Sequence, residues 1–503
     1  MGNIMSSAMR NVSIAFWEYP VLVVYILVVG LIFSRRKNLE IKRHPEYRFY
    51  LWGLYAKIMG GFAFTMIYMF YYKAGDVFSY FASAKVLADL ARSEPLRYFD
   101  ALFSTNTWPD YYRLFDSSTG YPVNYIFIDD RSWLLVKIVS PLAIVAFNSF
   151  LLTTALVSTL AYGGCWLLYR TLVRYYPAIS GQLAFAVLFF PSSLFWGSGI
   201  VKDTFTFTGV CFFVHALDRI FFQKRGGFGA WGLAVLGSLI MLMLKPYVFM
   251  VLFPASLLWV MYHRVQRLRN AAVRLLLLPM SALLLFTLSF NVLARLEGRL
   301  GKFSLNRALE TIIVAQNDMK RSTQYGTNYF DLGAIAPTWE SVLGKFPQAV
   351  FAGLFRPMLI EVNNITMLLS ALENTFLLGF MLLVLLRTRV VFFLSLFLKN
   401  PLLQMCYVFA IGYAFMIAVT TPNFGAMVRF KIPLLPLLVS ALFITRFILD
   451  QRKAVRNAGH RFRFEDYADG DPRAHATHAS PRTGAQRARG RPAMAAMGRG
   501  RVK

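Results

Sequence analysis

Along most of this chain the apolar residues run in long blocks instead of alternating with polar ones, and short polar clusters punctuate the blocks. They fall at 14–34, 51–72, 149–169, 180–195, 203–222, 230–244, 247–262, 272–293, 366–386, 401–420 and 432–449. A bilayer core about 30 Å thick takes about 20 helical residues to cross. The pattern therefore predicts an all-α polytopic membrane protein with about eleven transmembrane helices. The blocks at 180–195, 230–244 and 247–262 are short for a full crossing and predict half-helices or helices that extend into polar neighbours.

Two long segments, 73–148 and 294–365, separate blocks and are expected outside the membrane. The first opens with Phe78, Phe81, Ala84, Leu87 and Leu90 at near-helical spacing, which predicts an amphipathic helix. Residues 133–147 predict a short apolar helix lying on or dipping into the membrane surface. The second segment predicts helices over 302–320 and 338–355, with a polar turn at 321–328 between them. Periodicity is lost over 451–503, a stretch rich in Ala, Gly, Arg and Pro that is expected to be disordered. The expected organisation is an N-terminal span with a basic loop over 1–50, a transmembrane core over 51–450, and a basic tail over 451–503.

Composition fits that picture: 57% hydrophobic against 16% charged residues, with a mean hydropathy of +0.50, excludes an ordinary soluble domain. Charge then sets orientation. Arg35-Arg36-Lys37, Lys42-Arg43, Arg170 with Arg174, Lys224-Arg225, the run from His263 to Arg274, Arg387 with Arg389, and the tail all fall on one side of the proposed spans. The positive-inside bias makes that side cytoplasmic, with the N-terminus outside and the C-terminus inside. No cleavable signal pattern is expected, because a polar start precedes an apolar block too long for one. Of the formal charge of +28, the tail contributes thirteen Lys/Arg against four Asp/Glu. Its Arg-Gly-Arg stretches suit anionic membrane lipids better than nucleic acid. Cys165, Cys211 and Cys406 lie in apolar blocks without metal-ligand spacing and read as buried side chains. Neither HExxH, P-loop nor Rossmann glycine patterns occur.

Ionisable residues within or beside membrane blocks are costly and mark candidate sites. Asp76, after Gly75 at the outer mouth of the second block, either acts as a general base or caps the helix that follows. Pro191 to Gly199 interrupts an apolar run, and irregular backbone at that depth belongs in protein or beside a polar cavity. Lys202 then offers a cation for phosphate, while Asp203 either pairs with it or caps the next helix. Lys245, before Pro246, is a weaker phosphate ligand or a snorkelling side chain. Asn423, Arg429 and Lys431 stand between the last two blocks, where outer-face cations run against the topogenic bias and suit phosphate. Arg356 and Glu361 precede the ninth block and either bind substrate or pair with each other. Glu373 within that block faces a cavity or hydrogen-bonds across helices, and His215 reads as an interhelical hydrogen-bonding residue.

With Gly75-Asp76 before a long outer segment, the Phe190-Pro-Ser-Ser-Leu-Phe-Trp196…Lys202-Asp203 element, and the Asn423…Arg429…Pro433 hairpin, residues 50–450 resemble the GT-C superfamily of polyprenyl-phosphate-sugar-dependent glycosyltransferases. The resemblance implies inverting transfer at the outer face from a lipid-linked sugar donor to a glycan or lipid acceptor. It implies a catalytic role for Asp76, with Asp203 beside it, and donor-phosphate binding by the cations. Many members carry a paired acidic motif in the first outer loop. Asp76 has no acid two positions away, and Asp129-Asp130 lies far along that loop, so a divalent cation cofactor is left open. Two alternatives are carried from the residues: a polymerase or ligase using a polyprenyl-diphosphate donor, and a transporter or flippase of a lipid-linked anion.

Overall fold

The computed structural model describes residues 12–266, 309–316 and 328–462, apart from 311, 315, 389 and 461. Within them the chain is all-helical, and its only pairing of strand type is an isolated antiparallel bridge between Tyr329 and Asn423. Six helical segments are long and apolar enough to cross a membrane: Glu18–Glu40, Pro45–Tyr72, Phe150–Tyr175, Lys202–Phe222, Ile365–Arg387 and Pro401–Thr420. A seventh is the bent pair Phe424–Phe430 and Leu435–Asn457, whose axes meet at 63°. The expected blocks at 180–195, 230–244 and 247–262 form the shorter apolar helices Pro177–Phe189, Phe228–Leu244 and Pro246–Tyr262. The block at 272–293, most of the helix expected over 302–320, and the turn at 321–328 up to residue 327 lie outside the described residues. Among the described residues six or seven segments thus have the length and composition of a span, against the eleven expected of the whole chain. The difference lies in three apolar stretches shorter than the others and one block not described.

The elements that build the site are α1 (Glu18–Glu40), α2 (Tyr50–Met66), α3 (Asp76–Ser93), α4 (Asp130–Val145) and α5 (Phe150–Tyr175). They continue with α6 (Pro191–Phe195), α7 (Lys202–Leu217), α8 (Phe228–Leu244), α9 (Pro246–Gln266) and α10 (Phe346–Phe355). The series closes with α11 (Ile365–Arg387), α12 (Pro401–Thr420), α13 (Phe424–Phe430) and α14 (Leu435–Asn457). Helix α7 is central: it packs along α5 on one side and α8 on the other, and α5 carries α2 and α1. Helix α12 packs against α9, α10 and α14, and α3 against α4. Small residues allow the α7–α8 approach. A Cβ on Gly237 would lie 2.7 Å from the Gly209 carbonyl oxygen and 3.0 Å from the Phe213 amide.

A helix, α4, forms where a short apolar helix is expected at 133–147. Trp133, Leu135, Val136, Val139 and Ala143 are buried against protein, so its apolar face is spent on α3 and α5. The amphipathic helix expected over 338–355 forms as two pieces, Trp339–Gly344 and α10, because Pro347 starts the second one. At the C-terminal end α14 runs into the expected tail. It stops where Gly459, at φ +74°, lets the Gly459 and His460 amides donate to the Arg456 and Val455 carbonyls.

Candidate functional site

Helix α2 continues through a wide turn at Ile67–Tyr72 and ends on Lys73 in the left-handed region. Gly75 follows at φ +139°, and a Cβ there would sit 2.6 Å from the Tyr68 ring. Glycine is needed twice over, for the backbone and for the ring, and the reversal it makes puts Asp76 at the first position of α3. The chain comes back into the same region at the break before α7. There Phe190 is extended, α6 starts at Pro191, and Val201 leads directly into Lys202. The α8–α9 junction at Lys245-Pro246 and the bend after α13 complete the convergence.

At that meeting point Asp203, 2% exposed, takes a cation on each oxygen. Lys245 donates to Oδ1, and Arg429 Nε lies 3.0 Å from Oδ2. The Lys245 ammonium also stands 3.4 Å from the centre of the Phe430 ring, which adds cation–π attraction. Tyr247 stacks on Tyr413, whose hydroxyl donates to the Phe430 carbonyl at 3.1 Å and so fixes the end of α13.

Lys202 does not pair with its neighbour Asp203. Successive helical residues point about 100° apart, and Lys202 Nζ instead donates to Asp129 Oδ2 at 2.8 Å. Asp129 is also the N-cap of α4, accepting from the Ser132 amide at 3.1 Å. Burial pushes its pKa up, but the Lys202 and Ser132 hydrogen bonds outweigh that and hold it below the ordinary carboxylate value. Tyr80 lies beneath this pair, its ring centre 5.9 Å from Lys202 Nζ.

Asp76 differs from the other two carboxylates. It is half-buried, makes no hydrogen bond or ion pair among the described residues, and is not the cap of α3, a position held by Gly75. It lies within electrostatic reach of Arg429, Tyr80 and Tyr125. Asp76, Lys202, Asp203, Lys245 and Arg429, spread over more than three hundred residues of chain, are thus gathered together.

The remaining expected residues stand apart. Lys431 is 1% exposed, and its ammonium donates to the Leu354 carbonyl (3.1 Å), the Arg356 carbonyl (2.5 Å) and Asn374 Oδ1 (3.3 Å). An ammonium has three protons, so this one has none left for a ligand. Asn423 caps α13 by accepting from the Ala426 amide at 3.0 Å. Arg356 and Glu361 pair with each other beside an open cleft. Glu373 accepts from the Ser192 amide at 2.8 Å, the cross-helix bond expected of it, and His215 Nδ1 meets Thr171 Oγ1 at 2.8 Å.

Sequence reasoning left out Tyr68, Tyr80 and Tyr247, which lie within electrostatic reach of Arg429, and Arg131, within reach of Asp129, and gave Asp129 no definite role. Tyr80 was within reach, since it stands four residues after Asp76 on the same helical face. Tyr68, Tyr247 and Arg131 carry no such signal. No family model, no curated protein and no solved structure matches this chain.

Proposed function

We propose that the protein is an integral membrane glycosyltransferase that moves a sugar from a polyprenyl-phosphate donor to an envelope glycan or lipid acceptor on the extracytoplasmic face. The observation that carries this reading is the contrast within the cluster. Three cations are held in place by Asp203 and Asp129, while Asp76 alone keeps an unpartnered carboxylate at their edge. In this reading Asp76 takes the proton of the acceptor hydroxyl as its oxygen bonds to the anomeric carbon. The bond from that carbon to the phosphate oxygen breaks, and the charge left on the phosphate develops beside Arg429, Lys202 and Lys245. Preorganised cations are what such a leaving group needs, and no proton donor is then required. Asp203, with both oxygens taken, orients Lys245 and Arg429 and does not act as a base. Among the described residues no group of His, Cys, Asp and Glu side chains is placed to hold a metal ion, and no step of this reading is assigned to one.

A transporter is less well supported. The eleven residues between Asp203 and His215 on α7 carry no charge, and Asp203 and Asp218 stand roughly 22 Å apart along the helix. A diphosphate-linked donor would ask for a second cation group free to bind it, and Arg356 is already paired with Glu361. The test is transfer by the purified protein with matched Asp76→Asn and Arg429→Ala variants. Loss of product with Asp76→Asn supports the reading, and unchanged product removes it.

A further inference from the structure

Away from the ion cluster, the structure has an open cleft of about 730 Å³ between the turn at 331–333 and the start of α10. That volume lies within the range of small-ligand sites, about 300–1,000 Å³. Its charged side chains balance: Lys345 and Arg356 against Asp331 and Glu361, with Arg356 and Glu361 paired to each other. One wall is apolar, and Phe351, 41% exposed, is its largest surface. The side chains of Gln348 and Lys345 make no hydrogen bond or ion pair among the described residues. The turn opposite is shaped by Gly333, at φ +83°, whose amide donates to Asp331 Oδ1 at 2.8 Å. A Cβ at Gly333 would lie 3.1 Å from Lys345 Nζ and narrow the mouth.

We propose that this cleft binds an uncharged oligosaccharide, and, resting on the transferase reading above, that this oligosaccharide is the acceptor. A sugar ring has an apolar C–H face to lay on Phe351 and a rim of hydroxyls for the amide, the amine and the carboxylates. A polyanion or polycation would meet as many like charges as opposite ones, and a lipid tail would leave the polar groups unpaired. The cleft wall and the ion cluster are both anchored on α13. Arg356 lies over the Phe424 ring at 5.4 Å, and Phe424 opens α13, the same short helix that presents Arg429. Five residues of helical rise, about 7.5 Å along α13, separate Phe424 from Arg429. Lys431, just past α13, clamps the Leu354 and Arg356 carbonyls and so fixes the cleft wall to the site.

The test uses the full-length protein in lipid nanodiscs and fluorescently end-labelled neutral oligosaccharides released from the envelope glycan of the cells that make it. Saturable binding is expected, weakened tenfold or more by Phe351→Ala and by Gln348→Ala and retained by Phe351→Tyr. Leu343→Ala, exposed on the preceding short helix and outside the cleft, should bind as the wild type does. Absent saturable binding, or equal affinity in all variants, overturns the proposal. If the cleft variants bind normally while Asp76→Asn stops transfer, only the cleft assignment falls. If they lose the oligosaccharide while Asp76→Asn still transfers, the cleft stands and the transferase reading falls.

Discussion

Asp203 holds two cations in a nearly dry place, and that makes its removal worse than its presence is good. Asp203→Ala leaves Lys245 and Arg429 facing each other without a counter-charge. Breaking a buried pair from one side costs about 3–5 kcal/mol. The expected outcome is a large fall in the thermal midpoint in detergent, partly recovered by adding Lys245→Met. A variant as stable as the wild type would show that the cations are not held as described. Asp129 gives a milder, pH-dependent case. Its folded pKa is depressed, so the Lys202 interaction contributes fully above the unfolded value of about 3.9 and is lost as pH falls through the folded one. Asp129→Asn keeps the cap and removes the charge. The stability gap between it and the wild type should be present at pH 7, modest because Asp129 is half-exposed, and should close in acid. A gap independent of pH would contradict the pairing.

At the scale of elements, the α7–α8 approach depends on two glycines facing each other. Gly237→Val places methyls against the Gly209 carbonyl and the Phe213 amide, and overpacking of this kind costs about 1–3 kcal/mol. Unfolding in detergent at an unchanged midpoint would refute that contact. The long apolar blocks made the helices legible, and the shortness of three blocks already marked the shorter apolar helices among them. Breaks were legible at Gly75, Pro191 and Pro246, but not at Pro347, which divides the single helix expected over 338–355. The partners were not. Lys202-Asp203 reads as a pair in the chain, yet helical geometry sends the two side chains to Asp129 and to Lys245 with Arg429. Lys431 reads as a free cation, but three backbone and side-chain oxygens absorb it. That α4 packs on α3 was not legible, because an apolar face looks the same whether lipid or protein covers it.

Considered as a whole molecule, the account requires the segment at 73–148 and the α8–α9 junction to share one side, with the loop at 223–227 on the other. Cys165, Cys211 and Cys406 are buried, so introduced cysteines can be read against a quiet background. Ser118→Cys should react with a membrane-impermeant maleimide in intact cells, and Gly226→Cys only after permeabilisation. The reverse pattern would invert the topology and place the ion cluster in the cytoplasm. The central claim is that Asp76 is the base of a sugar transfer. Its most direct test is mass spectrometry of lipid-linked and envelope glycans from cells expressing wild type or Asp76→Asn at equal levels. The account predicts an acceptor short of one sugar, accumulated donor, a loss of transfer of about a hundredfold or more, and a normally folded protein. Identical glycans in both would contradict it.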